Sequence, residues 1–212
     1  MKREAALLFS IYLLFGLSGA ANAALTTIGT ATYLNNDYKL IYEDDNNGQG
    51  LIWLDYTNGL NNWESQINWA AGLNTAGVLT LSPNPGVKVT SEGVWRLPIT
   101  GDNTAFDYNQ TTAEMGHLHY VSLGNPAGLD AFQHSYPFEN LNNPPNLSYW
   151  SGTEYPVESN YYAWCFQFEY GIAGPASKLG VGYGMAVLPV LWSFRKKPES
   201  VRLKLDAGSS PA

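Results

Sequence analysis

Cysteine, basic charge and long apolar runs are what this 212-residue sequence has little of. Its single cysteine, Cys165, excludes a disulfide framework. Cys165 lies between Trp164 and Phe166, with no second thiol and no neighbouring cation, so thiol redox chemistry has neither partner nor activator. No apolar run is long enough for a comfortable membrane span. Between Ala24 and Phe194 only Lys39, Lys88, Arg96 and Lys178 stand against fifteen acids, a net charge of −11. That balance excludes nucleic-acid binding by charge, because a phosphate backbone is held by Lys and Arg. The sequence also contains no G-x-S-x-G, H-E-x-x-H, P-loop or dinucleotide fingerprint.

What is present is 45% hydrophobic and 14% aromatic residues, the composition of a globular protein whose length suits one domain. Residues 1–23 read as a secretory signal. Lys2 and Arg3 precede the apolar run from Ala5 to Leu17, and Ala21-Asn22-Ala23 forms an A-x-A cleavage signal before Ala24. The expectation is a secreted, periplasmic or cell-envelope protein with a folded body over 24–194. Residues 195–212 carry five basic residues against two acids and no periodicity, which predicts a disordered basic tail.

Within the body, short β-type runs around Thr32 to Leu34 and Leu40 to Tyr42 are split by polar turns, followed by the apolar strand Leu51 to Asp55. Asn61 with Glu64 makes a capping-box start for a first helix carrying Trp63, Ile67, Ala70 and Ala71 on one face, with Gly77 as its stop. Val78 to Gly93 reads as a surface hairpin about Asn84-Pro85-Gly86. Thr111 with Glu114 starts a second helix of about three turns, with Met115, Leu118 and Ser122 on one face. Asn125 to Leu147 is a long irregular stretch, and β structure returns from Tyr149. Two helices among many antiparallel strands predict an α+β domain.

Candidate chemistry is sparse. His117 and His119 stand two apart on the second helix and so point in different directions, which argues against zinc; the third histidine is His134. Asp44, Asp45 and Asn47 supply hard oxygens on a turn, a candidate calcium site without EF-hand spacing, and the alternative is an ordinary Asp/Asn-rich hairpin turn. Glu154 and Glu158 flank an aromatic-rich turn, where a glycosidase pair or two solvated charges are both open. Trp150, Tyr155, Tyr161, Tyr162 and Trp164 cluster beside a polar loop. Exposed rings there would stack on sugar, and buried ones would be core.

Leu51 to Asp55, the helix with Trp63 and Trp69-Ala70, Trp95-Arg96-Leu97-Pro98, Glu114 to Leu118, Tyr149 to Tyr155, Ala163-Trp164 and Ala186-Val187 occur in that order. Together they resemble the Lcl C-terminal domain family, named for a collagen-like bacterial adhesin. The resemblance implies a C-type-lectin-like fold, related to formylglycine-generating enzymes, with two helices and short, mainly antiparallel strands. Enzyme chemistry does not carry over, since the formylglycine-generating chemistry uses a cysteine pair. The chain departs from the family at Leu188, where members place Arg before Pro189.

These readings converge on an exported, non-catalytic recognition module that binds extracellular glycan in an adhesion role. Trp150, Tyr155 and Tyr162 are the expected stacking rings, and Glu154 and Asn160 the expected polar contacts. No cofactor is implied, calcium being left open. The acidic body favours a neutral or weakly charged glycan over a sulfated one. The alternatives are a structural or protein-binding envelope protein and a glycan hydrolase using Glu154. Trp95, Arg96 and Pro98 are expected to be structural: Trp95 in the core, Pro98 ending a strand, and Arg96 paired with a carboxylate.

Overall fold

The computed structural model describes residues 23–190 apart from 92, 102–104 and 143–146. The basic tail and all of the expected signal except Ala23 lie outside the described residues. The chain opens as a meander: β1 Leu25–Tyr33, β2 Asn36–Asn46 and β3 Gln49–Asn61. Its two connections are two-residue turns. Leu34 and Asn35 have φ of 50° and 62°, and Asn47 and Gly48 have 55° and 87°. Left-handed conformations at both positions match the right-handed twist of the flanking strands.

After β3 come α1 Trp63–Gly72, β4 Thr80–Pro83 and β5 Asp107–Tyr108. Next is α2 Glu114–His117, continued by a π-helical turn Leu118–Ser122. Four strands close the fold: β6 Tyr149–Glu154, β7 Tyr162–Gln167, β8 Ile172–Ser177 and β9 Gly182–Val190. They assemble into one nine-stranded sheet in the order β4-β1-β2-β3-β9-β6-β7-β8-β5. Its pairings are antiparallel except β6 with β9, which meet in parallel at Tyr149 and Tyr183. The fold is therefore α+β with two short helices and a large, mostly antiparallel sheet.

Both faces of that sheet are buried, so its central strand reads as a continuous apolar run. Leu51 and Trp53 of β3 face a cluster with Tyr149, Trp164, Phe166, Met185 and Val187, covered by Met115 and Leu118 and by Phe138. Ile52 and Leu54 face the other way with Ala31, Leu40, Ala186 and Leu188. Leu73 and Trp95 close that side. Further along the same side Trp150, Ala163 and Cys165 pack beneath Ala70 of α1.

Several expectations are met and several are corrected. Trp95 is in the core, 5% exposed, with its backbone N–H and C=O both bound by the Asn74 amide at 2.8 and 2.9 Å. Arg96 pairs with a buried carboxylate, that of Glu114. Pro98 ends no strand: Arg96 makes a single bridge with Val187, and the Pro98 carbonyl instead accepts from Gly152 N–H at 2.7 Å. The first helix is capped one residue later than expected, by Asn62, whose Oδ1 accepts from Ser65 N–H at 2.9 Å. Gly77 lies beyond its end, in a following turn with φ 83°. The second helix starts after Ala113, whose methyl group cannot cap it, and the Glu114 carboxylate is committed to Arg96 and the Ile99 N–H rather than to a capping box. The Val78 to Gly93 hairpin does not form. Its first arm is β4, which pairs with β1, and the second arm carries only the bridge from Ser91 to Val190.

Candidate functional site

At one end of the sheet three segments meet: the β6–β7 connection (155–161), the β8–β9 connection (178–181) and the start of α1. Lys178 joins them. Its N–H donates to Tyr161 O at 2.8 Å, and its carbonyl accepts from Trp63 N–H at 3.2 Å. Its ammonium lies 4.2 Å from the Trp63 ring centroid and forms an ion pair with Glu154. The β6–β7 connection is held by Tyr161 and Tyr162 N–H groups that both donate to Glu158 O at 3.0 Å.

This turn frames a cleft of about 220 Å³ lined by Tyr155, Val157, Glu158, Tyr162 and Pro175. Tyr162 and Trp164 alternate along β7 to the same face, where Tyr155 stands edge-on to Trp164 at 5.1 Å. Tyr161 stands on the turn just before β7 and is exposed. Apolar side chains project from the same end, with Val157 73%, Leu179 89% and Val181 60% exposed.

The expected site is thus brought together in part. Tyr155 and Tyr162 share the cleft, Asn160 is exposed on the same turn, and Glu154 sits at its base in the grip of Lys178. Trp150 is not a stacking ring. It is 2% exposed in the core, and its indole N–H donates to Asn61 O at 3.1 Å, since β6 alternation sends it beneath α1. The expected calcium donors each hold a separate hydrogen-bond partner. Asp44 accepts from Ala24 N–H at 2.7 Å, Asp45 accepts from Gly48 N–H at 2.8 Å, and Asn47 donates to Asn46 and Thr112. Among the described residues no three His, Cys, Asp or Glu side chains group as a metal site would require.

Sequence reasoning missed a second polar centre. Glu43 is fully buried, and its carboxylate accepts from Trp53 Nε1 at 2.7 Å, Asn46 Nδ2 at 2.9 Å, His117 Nδ1 at 3.0 Å and Ser122 Oγ. A bulge at residues 44–45 returns Asn46 to the face of Glu43, where its amide also reaches Glu114 O at 3.1 Å. Asp55 is likewise buried and accepts from the N–H groups of Glu139 and Asn140, both at 3.0 Å, pinning the irregular stretch to β3. The visible signal was period-two alternation, which sends Glu43 to the core face with Ile41 and Asp55 there with Trp53.

The two helix histidines diverge as expected. His117 meets Glu43, whereas His119 enters an aromatic cage of Phe132, Phe166 and Phe168. His119 Nε2 lies 2.9 Å from Pro126 O, and Nδ1 is buried without a partner. Burial lowers the His119 pKa below its ordinary 6.5, outweighing the Pro126 hydrogen bond, so the ring is neutral in the fold. Between that lowered value and 6.5 the unfolded chain binds a proton that the folded chain refuses. Stability is therefore full above 6.5 and is lost as pH falls towards the folded value. Urea midpoints measured from pH 7.5 to pH 5.5 should fall in the natural chain, with a shallower fall in His119→Gln; equal slopes would assign the loss to other groups. Burial also raises the Cys165 thiol, which sits 3.2 Å from Gly174 O, so it is protonated and unreactive.

No helix among the described residues is long and apolar enough to cross a membrane. No family model matches the chain, and no curated protein or solved structure matches it either.

Proposed function

We propose that the chain is an exported, non-catalytic recognition module that seats an extracellular glycan in the cleft between Tyr155 and Tyr162. The observation that carries this reading is the lining itself: two tyrosines and Pro175 offer apolar faces beside the Glu158 carboxylate. A pyranose has the matching halves, a C–H face that packs on aromatic rings and hydroxyls that donate to a carboxylate. Charge narrows the class, because a body of net charge −11 repels a sulfated polyanion and accepts a neutral or weakly charged sugar. The ordered resemblance to the Lcl C-terminal domain family, with its C-type-lectin-like expectation, points the same way. Glu154 makes a poor general acid or base here, since Lys178 holds its carboxylate in an ion pair.

The test is a glycan-array screen of the exported chain with calcium and again with chelator. Binding to a neutral glycan class is expected, and Tyr162→Ala should weaken it about tenfold, close to 1.4 kcal/mol, with the melting temperature unchanged. Loss in chelator would bring calcium back as a ligand. Turnover of a glycan abolished by Glu154→Gln would restore the hydrolase reading. A blank in both buffers would overturn the glycan reading in favour of a protein partner in the envelope. That second reading has its own observation, the exposed aliphatic side chains of Val157, Leu179 and Val181 at the same end, which suit a protein surface better than a sugar.

A further inference from the structure

We propose that the Ala23–Ala24 peptide bond is a maturation site and that Asp44 is the receptor for the α-amino group its hydrolysis releases. The inference rests on the export reading and is independent of what the cleft binds. The sequence places Ala21-Asn22-Ala23 immediately before Ala24. The fold begins at the same point: β1 starts at Leu25, paired with Glu43, and Ala24 lies opposite Asp44. There the backbone ladder gives way to a side chain. Ala24 N–H donates to Asp44 Oδ1 at 2.7 Å, while Asp44 N–H donates to Ala24 O at 3.2 Å. Asp44 lies in the bulge of β2 at residues 44–45.

An amide N–H needs only a neutral acceptor, which any carbonyl supplies. A carboxylate at that atom gains its full effect when the donor is an ammonium. Hydrolysis adds water across the bond, leaving a carboxylate on Ala23 and an amine on Ala24 that is protonated at neutral pH. The nitrogen already lies against Asp44, so the charged pair forms without moving the strand. Competing charges are otherwise committed: Glu43 to Trp53, Asn46, His117 and Ser122, and Asp45 to Gly48 N–H. Among the described residues no Lys, Arg or His forms an ion pair with Asp44.

The full chain would be expressed in a secreting bacterium, and the exported product examined by intact mass and N-terminal sequencing. A chain starting at Ala24 is expected; an unprocessed chain or a different first residue overturns the maturation site. The α-amino acetylation rate would then be measured at pH 7.5 with limiting reagent. The natural chain should react several-fold more slowly when folded than in urea, Asp44→Asn should lose that protection, and Asp44→Glu should restore part of it. Should Asp44→Asn fail to fold, the folded-to-urea ratio of the natural chain still decides. Equal rates in the two states, or in the natural chain and a folded Asp44→Asn, would overturn the role of Asp44. A blank glycan array leaves these readouts untouched, so failure of the ligand reading and failure of this one are told apart.

Discussion

Glu43→Gln is expected to destabilise the folded chain by about 3–5 kcal/mol, because two of the buried donors around it lose their acceptor at about 1–3 kcal/mol each. The substitution keeps the shape of the side chain and changes only its chemistry. The carboxylate stands among Trp53 Nε1, Asn46 Nδ2, His117 Nδ1 and Ser122 Oγ, all placed to donate. An amide replaces one of its two acceptor oxygens with a donor, which then faces other donors with no water to relieve it. Urea unfolding at pH 7 should register a midpoint lower by roughly 1.5–2.5 M for a slope of about 2 kcal/mol/M. Against a total stability of about 5–15 kcal/mol, that leaves a marginal fold. A loss below about 1 kcal/mol would mean the network contributes packing alone.

The same network explains why part of the fold was legible and part was not. Leu51 to Asp55 announced an apolar strand, which proves buried on both faces, and α1 announced itself through Trp63, Ile67 and Ala70, with its cap read one residue early at Asn61. Both signals are local, so pattern reasoning reaches them. Strand length was not legible. Asp44 and Asp45 look like loop, yet β2 runs through them to Asn46 because the bulge lets polar residues stay in the ladder while Glu43 and Asn46 share one face. The second helix misled in a related way. Thr111 and Glu114 have capping-box spacing, but Glu114 is taken by Arg96, eighteen residues earlier. A tertiary ion pair outcompetes a local cap when the carboxylate is buried.

At the candidate site, residue types were legible and orientation was not. Trp150 and Tyr155 look equivalent on an aromatic-rich turn. One sits inside β6 beneath α1 and the other just past the strand's end beside the cleft. Lys178, which ties the whole end together, carries no local signal: its partners Glu154 and Trp63 are 24 and 115 residues away in sequence. Long-range pairs of this kind are set by register across β6, β7 and β8, which a single sequence does not display.

Arg96→Ala should cost about 3 kcal/mol in stability without changing affinity at the cleft. The guanidinium binds Glu114 through two parallel bonds of 2.8 and 2.7 Å, and a third donor reaches Leu97 O at 3.0 Å. Arg96 is partly open, with 27% of its side chain exposed, but the Glu114 side chain is only 7% exposed. Truncating the arginine therefore strands a buried carboxylate on Ile99 N–H alone. Arg96→Lys should fall between, since an ammonium cannot reproduce the planar fork. Replacing both partners, as Arg96→Leu with Glu114→Leu, should be less damaging than Arg96→Ala alone, because no orphaned charge remains. The reach of the effect follows from connectivity. The Arg96 backbone bridges Val187 of β9, Glu114 opens α2, and Asn46 links Glu114 to the Glu43 centre. These contacts bind the sheet to one helix, whereas the cleft hangs on Lys178, α1 and the β6–β7 turn. Thermal unfolding should accordingly shift in Arg96→Ala while glycan affinity stays constant, the reverse of the outcome for Tyr162→Ala. A variant that lost affinity with its melting temperature intact would instead put Arg96 in contact with ligand.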